Sequence, residues 1–166
     1  MSNYRRYWQP GGTYFFTVNA NRTTRAINLI HHADLLREVV ADVRSRHPFA
    51  LHAWVLLPDH LHWVASLPEG VSDFSSRWRL IKANFSRALP KLEPLSSRAV
   101  KRGERGIWQH RYWEHCIRDE QDFAAHVDYV HMNPVKHGLV EHVRDWPHSS
   151  FHAWVERGRY PEDWGG

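Results

Sequence analysis

This chain has little of several things. It holds one cysteine, Cys116, so no internal disulfide can staple it. That usage fits a reducing compartment, and Cys116 reads as a small buried apolar residue. No apolar run approaches the roughly 20 residues of a membrane span. The opening residues, MSNYRRYWQPGG, lack the apolar middle of a secretion signal. The expected location is the cytoplasm, with no membrane partner. Internal repeats and low-complexity tracts are absent, and so is a GxxxxGKS or GxxxxGKT phosphate cradle. Acid is scarce over residues 77–118, where 11 Lys+Arg face only Glu93, Glu104 and Glu114.

What is present is an ordinary globular composition, 42% hydrophobic and 24% charged, over 166 residues. That length suits one domain, 1–166. The formal net charge is +4, but the segment 77–118 alone carries +8, leaving −4 for the remainder. A concentrated basic segment on a near-neutral body points to a polyanion partner, because phosphate contacts supply most non-specific nucleic-acid affinity. SNYRRYW at Ser2–Trp8 adds Arg5 and Arg6 for phosphates or bases, and Tyr4, Tyr7 and Trp8 for stacking.

Periodicity predicts the elements in order. Thr13–Asn19 is aromatic and β-branched, a strand. Asp34–Arg46 carries Leu36, Val39, Val40 and Val43 at helical spacing. Ala50–Leu57 and His60–Ser66 are strands joined across Pro58-Asp59, a hairpin. Asp73 caps a helix to about Leu89, with Phe74, Trp78, Ile81 and Phe85 facing the core. Arg77, Arg79 and Lys82 fall to its outer face and, with Arg111, are expected to meet phosphates. Residues 90–106 read as a long basic loop and Arg111–Arg118 as a strand. Asp119 with Asp122 resembles a capping box opening a helix from Glu120 to about Met132, stopped by Pro134. The order β-α-β-β-α-β-α predicts an α+β, ferredoxin-like (RRM-like) antiparallel sheet. Its helices lie on one face, and a C-terminal helix is appended.

Two patterns carry chemistry. Residues i and i+2 of a strand share a face. His60 and His62 therefore present two imidazoles together, while Leu61 and Trp63 pack opposite. Neutral imidazole suits divalent metals. Fourteen histidines in 166 residues make about one His-x-His expected by chance, so this motif alone is weak. On the late helix, Tyr129 lies off the Phe123/Val127/Val130 stripe and shares a face with His126 and Asn133. Asn133 offers an amide oxygen to a hard cation. The Tyr129 phenol is a weak nucleophile that needs an electropositive site.

These stretches together resemble the single-tyrosine HUH transposases, most closely the REP-associated tyrosine transposases of bacteria. The resemblance rests on SNYRRYW, LPDHLHWVASLPEG followed by FSSRWRLIK, WQHRYWEHCIRDEQDF, HVDYVHMNPVKHGLV and DWPHSSFH. It implies a ferredoxin-like fold and a divalent ion, Mg²⁺ or Mn²⁺, on His60 and His62 with Asn133 as third ligand. It implies Tyr129 as the nucleophile, giving a 5′-phosphotyrosine link and a free 3′-OH on single-stranded or hairpin DNA. Tyr4, Arg5 and Arg6 would help read the foot of a REP-type palindrome, and His126 would orient the phenol. Such a protein works as a monomer or homodimer and sits on the nucleoid when bound. The competing readings are a non-catalytic nucleic-acid binder on the same sheet and a zinc hydrolase using His60 and His62.

Overall fold

A computed structural model describes residues 8–22, 27–92 and 94–166 of the chain. Four strands form, β1 (Thr13–Asn19), β2 (Ala50–Leu56), β3 (His60–Ser66) and β4 (Trp113–Cys116). They pair antiparallel throughout in the order β2-β3-β1-β4. Between them run α1 (Ala33–Arg46), α2 (Phe74–Ala88) and a short α3 (Ser97–Lys101). After them come α4 (Glu120–Lys136) and α5 (Phe151–Glu156). This is the expected α+β, ferredoxin-like sheet, with β1 and β3 central.

Strand alternation divides the side chains between two layers. Tyr14, Phe16 and Val18 of β1 and Leu61, Trp63 and Ala65 of β3 turn toward α1 and α2. There they meet Leu36, Val39, Val40 and Val43, and Phe74, Trp78, Ile81 and Phe85. Phe15 of β1, Ala53 and Val55 of β2 and Val64 of β3 turn the other way, onto Val127 and Val130 of α4. A register shift between Leu51 and Ala53 lets β2 feed both layers. The α1/α2 pair thus covers one face of the sheet, and α4 covers the other.

The free edge of β2 is sealed by the C-terminal segment. Leu56 N–H donates to His148 O at 2.9 Å and Ser150 N–H to Trp54 O at 2.9 Å. Ser150 Oγ also accepts the Trp54 N–H at 2.8 Å. Pairing removes an exposed row of backbone groups that would invite aggregation.

Four expectations need correction. The 90–106 segment is not all loop, because Ser96 caps the short helix α3 by accepting the Ala99 N–H at 3.2 Å. The strand near residue 113 is only Trp113–Cys116, the part that finds a partner in β1. Helix α4 does not stop before Pro134 but runs through it to Lys136. A proline removes one donor and strains the preceding turn, yet Val130 and Pro134 are both buried against the fold. The helix ends at Gly138 instead, where φ is +67°. The Leu139 N–H reaches Pro134 O at 2.9 Å and the Gly138 N–H reaches Val135 O at 2.9 Å, the double closure that a left-handed glycine permits.

The fourth correction is Arg77. It does not face outward for phosphate but is buried, only 7% exposed. Its guanidinium donates to Asp73 O at 2.7 Å and to Pro48 O at 2.9 and 3.3 Å. These carbonyls lie where α1 has ended and α2 begins. Arg77→Met is expected to lower the unfolding free energy by about 2 kcal/mol, because it strands buried acceptors. Arg79→Met, on the exposed face, is expected to change it by less than about 0.5 kcal/mol. Urea unfolding of the two variants checks this.

Candidate active site

The site assembles where β3 and β1 meet α4. His60 and His62 stand on the face of β3 that α4 covers, both buried. Each imidazole is oriented by its Nδ1. His60 Nδ1 donates to Asp59 Oδ1 at 2.6 Å. Burial alone would raise the Asp59 carboxyl, but the hydrogen bond and charge of His60, with Arg22, hold it below its ordinary value. The carboxylate therefore accepts, and Nε2 is the His60 nitrogen left for another partner. His62 Nδ1 is 2.9 Å from Thr17 Oγ1, contributed by the residue opposite it on β1. Burial, with the nearby His60 and His137, pushes His62 down to about 3, so it is neutral at pH 7.

Two buried polar atoms are left without partners here, His62 Nε2 and Asn133 Oδ1. Asn133 is fully buried on α4, and its Nδ2 donates back to Tyr129 O at 3.4 Å. Its amide lies close enough to His62 to bias that ring's protonation. An orphaned buried acceptor costs about 1–3 kcal/mol, and a positive group bound by the ring nitrogen and the amide oxygen would satisfy both. Imidazole nitrogens and an amide oxygen form a donor set that fits a divalent ion, with Asp59 and Thr17 behind the ligands fixing their tautomers.

Tyr129 sits one turn before Asn133 on α4. Its ring centre is 5.4 Å from that of His62 and 5.7 Å from that of Phe15. It is 37% exposed, so the phenol is neither distant from the imidazoles nor entombed. Lys136 places its Nζ 4.6 Å from the centre of the same ring. The sequence reading passed over Lys136. The signal was available, because a residue seven positions on lies two helical turns away on one face.

His126 is held differently from the expectation. Its Nδ1 lies 2.8 Å from Asp122 O and 3.1 Å from Asp122 Oδ1, so any contact with the phenol falls to Nε2. His115 Nε2 also reaches Asp122, at 2.8 Å, and the two imidazoles stack 4.6 Å apart. His115, Asp122 and His126 form the only His/Asp grouping among the described residues whose ligand atoms all lie within 4.8 Å. That geometry can accept a cation. The carboxylate, however, is already filled, since it also takes the Arg118 N–H at 2.9 Å and Arg118 Nε at 3.3 Å. The grouping fastens the first turn of α4 to β4. Its Asp122 reciprocates to Arg118 rather than to Asp119, one residue off the expected capping box.

The basic residues lie elsewhere. Arg79 and Lys82 line a cleft of about 680 Å³ between α2 and the segment around α3, together with Arg87, Arg98 and Trp108. Lys82 Nζ donates to Gln109 O at 2.8 Å there. This cleft is on the α1/α2 side of the sheet, away from Tyr129. Arg111 is exposed beside β4. Tyr4, Arg5 and Arg6 fall outside the described residues.

No family model matches the chain. A protein of Escherichia coli K12, the "REP-associated tyrosine transposase", is 49% identical over 166 residues, covering 100% of this chain and 92% of its own. The chain belongs to the REP-associated tyrosine transposases. A Haemophilus influenzae member of the family is 45% identical over 167 residues, covering 100% of this chain and 94% of its own. A solved structure of a family member "bound to a REP hairpin" superposes with a TM-score of 0.84 at 48% identity. That match covers 100% of this chain and 92% of the other. No helix among the described residues is long and apolar enough to cross a membrane.

Two outcomes follow from this geometry. The hydrogen bonds from His115 and Arg118 outweigh the opposing effect of burial and hold the Asp122 carboxyl well below the usual carboxylate range. A group with a depressed folded pKa stabilises fully above its unfolded value of about 4 and loses that contribution as pH falls toward the folded value. Acid unfolding from pH 5 downward is therefore expected to steepen through Asp122, and Asp122→Asn to flatten that slope while costing about 2 kcal/mol at pH 7. In EDTA, Asn133→Leu is expected to unfold at the same or higher urea than the parent, because it removes an orphaned acceptor. Mn²⁺ at about 100 times its Kd is expected to stabilise the parent by about 2.7 kcal/mol and the variant markedly less.

Proposed function

We propose that this chain cleaves and rejoins single-stranded DNA beside REP-type hairpins, with Tyr129 as nucleophile. The observation that carries the reading is the Tyr129 ring lying 5.4 Å from His62 while the phenol stays accessible. The relative solved on a REP hairpin supports the choice of substrate. His60, His62 and Asn133 would hold Mg²⁺ or Mn²⁺. Bound there, the ion supplies Lewis-acid polarisation of the scissile phosphate and fixes its orientation.

The chain's own groups do the rest. The Tyr129 oxygen attacks phosphorus in line, and the bond from phosphorus to the 3′ oxygen breaks. The phenol's proton is lost and the 3′ oxygen gains one, leaving a 5′-phosphotyrosine and a free 3′-OH. One phosphodiester replaces another, so the reverse attack by a 3′-OH rejoins the strand without ATP. The Lys136 cation over the ring favours the negative charge that builds on the phenol oxygen. The site is complete within one chain, which supports catalysis by a monomer. Single-stranded or hairpin-flanking nucleotides suit it, since a strand held in a duplex is hard to set against both the imidazoles and the phenol.

The test is a labelled single-stranded hairpin oligonucleotide incubated with the protein and Mn²⁺, then resolved on a denaturing gel. A covalent protein–DNA band is expected, lost in Tyr129→Phe and reduced about 100-fold or more in His60→Ala. Retarded mobility on a native gel with no covalent band identifies a binder instead. Metal-dependent cleavage that survives Tyr129→Phe identifies a hydrolase.

A further inference from the structure

The reading above gives the ion two imidazoles and an amide. A third imidazole stands beside them that neither the family pattern nor the sequence reading assigned. His137 follows Asn133 by one helical turn and Tyr129 by two, at the C-cap of α4. Its backbone is anchored to a ligand's own carbonyl, since the His137 N–H donates to Asn133 O at 3.0 Å. The double closure at Gly138 then ends the helix directly behind it. Its side chain is exposed.

The ring spacing is that of co-ligands. His137 and His60 have ring centres 5.1 Å apart at 68°, and His60 and His62 have theirs 4.9 Å apart at 82°. Imidazoles binding one ion through nitrogen at about 2.0–2.1 Å place ring centres about 3.2 Å from it, hence roughly 4.5–5.3 Å from each other. Both pairs fall in that window. The three do not yet form a closed cluster, because their ligand atoms are not all within 4.8 Å of one another. Closing it requires the exposed His137 side chain to turn toward the other two rings.

We propose that His137 supplies a third imidazole to the ion held by His60 and His62, and that it makes the site select Mn²⁺ or another imidazole-favouring first-row ion over Mg²⁺. The inference rests on the ion site proposed above. Its chemistry is direct: Mg²⁺ takes oxygen ligands and gains little from imidazole, whereas Mn²⁺ and the later ions bind nitrogen progressively better. A site of three imidazoles and one amide oxygen favours Mn²⁺ over Mg²⁺, and the later first-row ions over both.

The experiment uses the full chain without DNA. Mn²⁺ binding is measured by EPR titration, ¹⁴N couplings to the bound ion are counted by pulsed EPR, and Mg²⁺ affinity is obtained by competition. Three imidazole couplings are expected in the parent and two in His137→Ala. Mn²⁺ affinity is expected to fall at least about tenfold in that variant, with Mg²⁺ affinity nearly unchanged. His110→Ala, an exposed histidine elsewhere, serves as the unchanged control. Two couplings in the parent, or a Mn²⁺/Mg²⁺ preference unmoved by His137→Ala, overturns the proposal; if His60→Ala then still abolishes binding, the ion site itself stands. Mn²⁺ binding that ignores His60→Ala and disappears in Asp122→Asn puts the ion at His115, Asp122 and His126, and overturns both readings.

Discussion

The alternation of strand β3 is the constraint on which the rest of the site depends. Leu61, Trp63 and Ala65 are committed to the layer under α1 and α2, and this sends His60 and His62 to the opposite layer. β3 is paired on both sides, so its register has no slack. A slip by one residue would turn the imidazoles into the Phe16–Trp78 layer and expel Trp63, forfeiting roughly 1.5–3 kcal/mol for each large apolar side chain displaced. The same register sets Thr17 opposite His62 and Asn19 opposite His60. One strand pairing therefore chooses the face of both histidines and sets the Thr17 hydroxyl against His62.

Helix α4 is held at both ends and along its middle. Asp122 ties its first turn to β4 through His115 and to the preceding backbone through Arg118. Val127 and Val130 pack on Phe15, Val55 and Val64. Two such buried valines contribute roughly 3–6 kcal/mol, an upper bound because unfolded chains are partly compact. The Gly138 closure fixes the last turn. A helix gripped this way can present Tyr129, Asn133 and Lys136 along one flank without spending packing on them. Phe15 joins the parts, its ring lying within 6 Å of His62, His126 and Tyr129. Unpartnered acceptors at the centre of so well-anchored a frame are a stability cost that the surrounding contacts carry.

Charge and chemistry are divided by the sheet. The basic cleft of α2 lies on one side, the phenol and imidazoles on the other. A hairpin that used both would pass around the β4 edge, where Trp113 is 51% exposed and Arg111 is also at the surface. The two faces thus carry different side chains, cations on one and the phenol and imidazoles on the other, with the strand edge between them.

Much of this was legible in the residues. Local patterns decide strands and helices, so the succession of four strands along the chain, the Phe74/Trp78/Ile81/Phe85 stripe, the shared face of His60 and His62 and the i,i+4 relation of Tyr129 to Asn133 are all written in spacing. What spacing does not hold is which distant groups become neighbours. Arg77 reads as an outward cation by its charge, although its place three residues after Phe74 and four before Ile81 sets it beside the apolar stripe; the Asp73 carbonyl is a local partner, but the Pro48 carbonyl that draws it inward is supplied from 29 residues away. Pro134 reads as a stop because its missing donor is a local fact, whereas the burial that carries α4 past it is not. The meeting of His62 with Tyr129 and the approach of His137 to His60 were decided by the docking of α4 on the sheet, since contacts between residues about seventy positions apart arise from layer packing and not from any chain-local preference.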